Sequence, residues 1–123
     1  MQMPWRVDFF GTPDRPACLL REIEALLTPR QFARLVKRVG WLEALGPRLD
    51  AGYFDRVAGS KLRLGEFRVT LESVEFRMLF SLELERTYLM LVAYKEKRGG
   101  IPPSAITTAE GRLRAWRTRH HAD

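Results

Sequence analysis

The feature that most constrains the fold is a pair of apolar segments in the C-terminal half of the chain. In the first, Phe76 to Leu82, large apolar residues alternate with Arg77, Leu79 and Ser81. The second, Tyr88 to Tyr94, is apolar on both faces, as expected for a strand inside a sheet. The stretch 75–103 therefore predicts two strands that bring a cationic group to a sheet edge, ahead of the hinge Gly99-Gly100 and a proline-started helix. That group comprises Lys95, Lys97 and Arg98.

The flanking segments supply helices and further strands. Thr28 is expected to cap a helix whose first turn holds Pro29, and Gly46-Pro47 to end it. The order predicts a single α+β domain with an N-terminal strand, two helices, an antiparallel sheet of three to four strands and a C-terminal helix, the helices packed on one sheet face. The predicted elements are a strand at 5–10, helices at 16–27 and 29–45, a loop at 49–60, strands at 61–64, 67–71, 76–82 and 88–94, and a helix from 103 or 104 to about 116.

Length and charge narrow the class of protein. A chain of 123 residues with 46% hydrophobic content suits one packed domain, with an ordered core expected at about 5–117 and a flexible tail. Lys and Arg number 21 against 15 Asp and Glu, a net charge of +6 that favours a polyanionic partner. Seventeen of those cations are arginine, which suits phosphate contacts, although codon bias explains the excess equally well.

Cellular location is predicted from what the sequence lacks. Cys18 is the single cysteine, which points to a reducing compartment. The sequence shows no signal-peptide pattern and no apolar run of bilayer length. We therefore expect a soluble cytoplasmic protein with no membrane partner.

The hairpin between the strands at 67–71 and 76–82 decides which polar side chains meet. A loop over residues 72–75 would place Thr70 opposite Arg77 and Arg68 opposite Leu79. Arg68, Thr70 and Arg77 then share one face, while the other face carries the core aromatic and aliphatic residues. Arg77 on this face is either an arginine paired with Glu72 or Glu75, or part of a phosphate clamp with Arg68 and one of Lys95 and Lys97.

Other charged clusters have two interpretations each. The second helix groups Arg30, Arg34, Lys37 and Arg38 on one side, which is either a solvated face or a footprint for an RNA backbone. His120 and His121 are expected in a disordered tail. No catalytic triad, metal-ligand spacing or phosphate-binding glycine motif is present, so we expect no cofactor and no metal.

The remaining polar chemistry is cationic, with Tyr94 and Glu96 as further candidates. Cationic clefts suit RNA cleavage, because attack of a ribose 2′-hydroxyl on its phosphate builds negative charge that fixed guanidinium and ammonium groups stabilise. A lysine with a pKa lowered by neighbouring cations can accept the proton. A protein that only binds phosphate needs the same charges, so both functions stay open.

At these residues the chain resembles the RelE/HigB toxin superfamily, in particular the phage-derived HigB-like branch of type II toxin–antitoxin systems. The resemblance is carried by EFRMLF, the apolar strand YLMLVAY, the basic KEKR, a proline-containing turn and a closing helix. Motif similarity is confined to about 67–113, while the order of elements agrees from Trp5 to Trp116. The resemblance implies a RelE-like domain over 1–123 acting as a ribosome-dependent mRNA endonuclease (mRNA interferase). It also implies a HigA-like helix-turn-helix antitoxin that neutralises the toxin, with the ribosome and mRNA as the other partners.

The resemblance also implies roles for individual residues. Arg77 matches the strand arginine of RelE-type toxins, and Lys95 or Lys97 matches a basic residue after the last strand, which makes these three the catalytic candidates. A second family lysine is replaced by Thr70, and the tyrosine of the C-terminal segment has no counterpart in residues 101–104. The alternatives are a catalytically inactive phage-derived interaction or RNA-binding module, and a nucleic-acid-binding protein acting without the ribosome. The candidate RNA-binding residues are Arg68, Arg98, Tyr94, Arg34 and Lys37.

Overall fold

The computed structural model describes residues 3–120 as a five-stranded sheet with three helices. Two single 3₁₀ turns, Gly46–Arg48 and Ala51–Tyr53, follow the second helix. In chain order the elements are β1 Arg6–Phe9, α1 Cys18–Leu26, α2 Pro29–Leu45, β2 Phe54–Arg56, β3 Gly65–Leu71, β4 Val74–Glu83, β5 Thr87–Lys95 and α3 Pro103–His120.

The strand order β1-β5-β4-β3-β2 makes β4 the central strand. β1 pairs with β5 in parallel, and every other pairing is antiparallel. The predicted α+β class and order of elements are confirmed. The expectation of an antiparallel sheet with three to four strands is confirmed by β2 to β5. The N-terminal strand β1 adds a fifth strand in parallel with β5, and the chain then crosses over through α1 and α2 before this sheet begins.

The second helix has the predicted bounds because its end signals are local. Thr28 Oγ1 accepts the Gln31 N–H at 3.2 Å and the Gln31 side chain accepts the Thr28 N–H at 2.9 Å, a complete capping box. At the other end Gly46 has a φ of +54°, and a Cβ built there would lie 2.2 Å from the Trp5 indole. A side chain at position 46 is therefore excluded by backbone conformation and by the approach of Trp5.

The β3–β4 hairpin closes with the two-residue turn Glu72-Ser73, and Glu72 takes a φ of +59°. Val69 lies opposite Phe76, and Arg68 lies opposite Arg77. The predicted register, with Arg68 opposite Leu79, is wrong by two residues, because the ladder continues to the tight turn. A shift of two residues preserves the face of every side chain, so the expected grouping of Arg68, Thr70 and Arg77 is retained.

Both faces of β4 are covered, since all six residues Phe76–Ser81 are buried. Arg117 of α3 bonds Ser81 and Glu83, which places α3 on the face of Arg77. The apolar residues of that face include Leu79 and Leu89, and α3 covers it with Ala105, Ala109 and Leu113. The other face packs against α1 and α2, so the expectation of helices on one face only is wrong: both faces of the central strands are apolar and both need cover.

A bulge in β5 changes the alternation of its side chains. Leu79 lies opposite Val92 whereas Phe80 lies opposite Met90, so Leu91 is an extra residue without a partner in β4.

The Leu91 carbonyl instead accepts an N–H from Arg112 of α3 at 2.8 Å. The same guanidinium donates to Glu22 of α1. Tyr88, before the bulge, packs with the aromatic core, and Tyr94, beyond it, reaches the face of Arg77.

Local predictions elsewhere are corrected. Residues 61–64 form no strand, whereas the predicted loop at 49–60 contains β2. α1 begins at Cys18 rather than at position 16, and α3 continues past Trp116 to His120, whose ring stacks on the Trp116 indole at a centroid distance of 3.9 Å. His120 is therefore helical, not part of a disordered tail, and His121 lies outside the described residues. Among residues 3–120, no helix is both long and apolar enough to cross a membrane.

Candidate functional site

Three strands place one polar row across the centre of the sheet. Arg68 of β3 lies opposite Arg77 of β4, and Arg77 lies opposite Tyr94 of β5. We call Arg68, Arg77 and Tyr94 the central row. It lies on the face that α3 covers farther along the sheet.

Arg77 is the most buried member of the central row, with 9% of its side chain exposed. Its Nη2 donates to Glu96 at 2.9 Å, and its Nη1 lies 3.4 Å from Glu75 and 3.3 Å from the Phe76 carbonyl. A pair with Glu75, one of the alternatives left open for Arg77, is therefore present, whereas Glu72 pairs with Arg30 of α2. These contacts fix the guanidinium in one orientation before any ligand binds.

Arg68 is held by two carboxylates and is more exposed, at 39% of its side chain. Its Nε donates to Glu66 at 2.8 Å and its Nη2 to Asp55 of β2 at 2.6 Å. The hydrogen bond with Glu66 is the main cause that raises the pKa of Arg68. Arg68 therefore stays a fixed cation at the edge of the central row.

Tyr94 completes the row through a buried carboxylate. Its hydroxyl donates to Glu66, whose side chain is only 5% exposed and also accepts from Arg68. Burial, followed by the bond to Glu66, raises the pKa of Tyr94 far above its usual range. Tyr94 is thus a neutral hydrogen-bond donor at physiological pH, and Glu66 joins the two ends of the row.

The site is mixed in charge, with more acidic than basic groups, rather than purely cationic. Two guanidinium groups meet four carboxylates, so the expected cationic pocket is instead a network of ion pairs. Sequence reasoning missed two of these acids, although alternation places Glu66 two residues before Arg68; Asp55 lies on the unpredicted strand β2. The carboxylates are Glu66, Asp55, Glu75 and Glu96.

The predicted lysines lie beside the central row without joining it. Lys95 is opposite Phe76, so the strand directs it to the other face of the sheet. Lys97 and Arg98 follow as exposed residues before the glycine pair, and within residues 3–120 none of the three makes an ion pair. On the Arg77 face, the residue after β5 is Glu96. The catalytic roles of Lys95 and Lys97 stay predictions.

Two openings give access to Arg68. A groove of about 450 Å³ follows the edge of β3, beyond its pairing with β2, and reaches both Arg77 and Arg38 of α2. A second cavity of about 350 Å³ lies between Tyr94 and Ile106 near the start of α3. In the described part of the chain, no three His, Cys, Asp or Glu side chains are grouped to hold a metal ion. The site can therefore present guanidinium, carboxylate and phenol groups to a ligand.

An α+β domain with an N-terminal strand, a mixed five-stranded sheet, an arginine-centred sheet face and a closing helix is consistent with the RelE-like fold. Comparison with protein-family models gives the particular family: residues 21–114 match "Phage derived protein Gp49-like (DUF891)". The chain belongs to this Gp49-like family of phage-derived proteins, a RelE/HigB-like family associated with the toxins of toxin–antitoxin systems. That association points to an antitoxin as a partner. No curated protein matches the chain in a sequence comparison.

Proposed function

We propose that this protein is the toxin of a type II toxin–antitoxin system, an endonuclease that cleaves mRNA on the ribosome and is neutralised by a cognate antitoxin. The family supports the toxin class, and the central row supports the chemistry. The observation that carries the proposal is the immobilised guanidinium of Arg77, directly opposite a second arginine.

The reaction needs preorganised positive charge near the scissile phosphate. The 2′-oxygen attacks the adjacent phosphorus, the bond to the 5′-oxygen breaks, and negative charge grows on the phosphoryl oxygens. Arg77 stabilises this charge from its fixed position, and Arg68 binds the phosphate from the more exposed end of the row. Nearly complete burial strengthens the electrostatic effect of Arg77, because water screens it weakly.

Proton transfer requires a group within reach of the 2′-hydroxyl. Lys95 and Lys97 are the candidates from the sequence, and Glu96 is a third because its carboxylate already meets Arg77. Tyr94 serves in binding, since its raised pKa leaves its phenol protonated. Arg98 binds phosphate beside the hinge at residues 99–100.

A second function is favoured by one specific observation. Glu75 and Glu96 occupy N–H donors of Arg77 that a phosphate would use. A catalytically inactive interaction or RNA-binding module would also keep Arg77 paired with carboxylates in this way. Cleavage must therefore be measured directly.

The test is single-turnover cleavage of ribosome-bound mRNA by Arg77→Ala. Its two carboxylate partners are 47% and 42% exposed, so removing Arg77 strands no buried charge and the fold should persist. Loss of one such preorganised group is expected to slow cleavage by about 10²-fold or more. Arg77→Lys keeps the charge but loses the forked geometry, so its cleavage rate should lie between those of the wild type and Arg77→Ala.

Arg6→Ala is the matched control, because Arg6 is an exposed, ion-paired arginine on the distant strand β1. Its cleavage rate should equal that of the wild type. A wild-type rate in Arg77→Ala would make Arg77 structural and remove the proposal's main support. Absence of cleavage by the wild-type protein on ribosomes would favour the inactive module.

A further inference from the structure

The second helix presents a basic and aromatic stripe that the central row does not use. Residues 34, 37, 38 and 41 follow the spacing i, i+3, i+4 and i+7, which places them on one side of a helix. We call these four residues, Arg34, Lys37, Arg38 and Trp41, the α2 stripe.

The cations of the stripe lack acidic partners. Among residues 3–120 no ion pair involves Arg34, Lys37 or Arg38, whereas Arg30, one turn earlier, pairs with Glu72 at 3.3 Å. The helix contains four cations and a single acid, Glu43. The stripe is therefore a surface whose positive charge is complemented by an anionic ligand.

Trp41 differs from the two other tryptophans. Trp5 and Trp116 pack against the hydrophobic core, while Trp41 does not contribute to it and is 39% exposed. The Arg38 guanidinium lies 4.2 Å from the centroid of the Trp41 ring. An indole and a guanidinium stacked at the surface form a planar support on which a nucleic-acid base can stack.

Arg38 connects this support to the central row. Its side chain also lines the groove of about 450 Å³ that reaches Arg68 and Arg77. Asp50 and Glu75 line the same groove, and Arg68 and Arg77 are each already paired with carboxylates. Arg38 is thus the cation of the groove that has no ion pair among the described residues, and it lies where a strand would pass from the helix to the row.

We propose that the α2 stripe binds single-stranded RNA next to the cleavage site, with one unpaired base stacked on Arg38 and Trp41 and the phosphates held by Arg34 and Lys37. The inference rests on the proposed function for the identity of the strand, which is the mRNA entering the central row. Single-stranded RNA is favoured over a duplex because a base must be unstacked from its neighbours to lie on an aromatic side chain. A surface that bound phosphates by charge alone would not need the aromatic ring of Trp41.

The experiment measures binding of a labelled oligouridylate of about ten nucleotides, within the usual site size for single strands. The probe is 2′-O-methylated, so that no 2′-hydroxyl can attack, and its affinity for the purified full chain is measured by fluorescence anisotropy. Trp41→Ala should bind about 5- to 150-fold more weakly, the range for loss of one stacked base. Val36→Ala is the matched control, an exposed apolar residue of the same helix away from the stripe, and should bind as the wild type does.

A probe series with one abasic position at each place in turn tests stacking without changing the protein. One abasic position should weaken binding to the wild type and should have no further effect on Trp41→Ala, because both changes remove the same contact. Uniform loss at every position, or equal affinity of Trp41→Ala and Val36→Ala, overturns the proposal. A preference for duplex RNA or for an acidic peptide over the single strand also overturns it.

Failure of this inference and failure of the proposed function can be told apart. Arg77→Ala tests cleavage and leaves the stripe intact. If binding depends on Trp41 but no ribosome-dependent cleavage occurs, only the proposed nuclease activity is refuted. If cleavage depends on Arg77 but not on Trp41, and binding is insensitive to abasic positions, only the proposed RNA binding by the α2 stripe is refuted.

Discussion

Replacing Tyr94 with phenylalanine separates the structural role of the central row from its chemistry. The change deletes one hydroxyl, which donates to a carboxylate that is 5% exposed. A hydrogen bond to a charged group contributes about 1.5–3 kcal/mol. Glu66 keeps its bond from Arg68 at 2.8 Å, so the loss should lie toward the lower end, about 2 kcal/mol.

The expected shift is large enough for thermal unfolding to detect. For 123 residues the entropy of unfolding is about 0.26 kcal/mol/K, so a loss of about 2 kcal/mol lowers the melting temperature by about 8 °C. Tyr88→Phe is the control, because Tyr88 lies in the same strand and no hydrogen bond of its hydroxyl is found in the described part of the chain. We expect a much smaller shift for it.

Tyr94→Phe should also change the pH dependence of stability. The pKa of Tyr94 is raised in the folded protein, so its stabilisation is complete below the unfolded value of about 10 and is lost as the pH rises above it. Tyr94→Phe removes that contribution, whereas Tyr88, whose pKa is also raised by burial, retains its own. The decline in stability at alkaline pH should therefore be shallower in Tyr94→Phe than in the wild type.

The cleavage rate of Tyr94→Phe tests whether the Tyr94 hydroxyl is itself a catalytic group. Because Tyr94 stays protonated and engaged with Glu66, its loss should slow single-turnover cleavage less than about 10-fold, far below the effect at Arg77. Unchanged stability together with abolished cleavage would refute this reasoning and make the Tyr94 hydroxyl a catalytic group.

Three further predictions concern the core, the lysines and the partner. Phe80→Ala should lower the free energy of unfolding by about 3–5 kcal/mol, because Phe80 is 6% exposed within the aromatic core; a change near zero in denaturant unfolding would contradict the face assignment. Lys95→Ala and Lys97→Ala should differ in cleavage rate, since only one can reach the 2′-hydroxyl, and equal rates would exclude both as the proton acceptor. An antitoxin segment should dock near Arg68 and the cationic end of β5, with an affinity that falls as salt rises in titration calorimetry; salt-independent binding at β1 would contradict this placement.

Local sequence signals predicted the elements whose first and last residues are typical capping or turn residues. The helix α2 has its predicted bounds because Thr28-Pro29 and Gly46-Pro47 act on adjacent backbone groups. Strand β2 was missed because three residues are too few to show a period, and its pairing depends on β3, which is distant in sequence. The hairpin register was wrong because Glu72 adopts a positive φ that its residue type does not announce.

The site was predicted in part for a related reason. Strand alternation was sufficient to group Arg68 with Arg77, since a shift of two residues leaves faces unchanged. Alternation also places Glu66 and Glu75 beside these arginines. It gave no guidance for Asp55, which lies on the unpredicted strand β2, or for Glu96, which follows the bulge in β5. The side of the sheet to which Lys95 points depends on the unpaired Leu91, and no residue type in the apolar strand marks a bulge there.

That extra residue in β5 determines which charges the site contains. Tyr94 and Glu96 reach Arg77 only because Leu91 moves the second half of the strand by one position. If the ladder ran on from the Phe80–Met90 pair without the bulge, Ala93 would lie opposite Arg77 and Lys95 would point to the Arg77 face. The bulge thus determines whether acidic or basic side chains of β5 face Arg77, and Arg112 stabilises it by binding the Leu91 carbonyl.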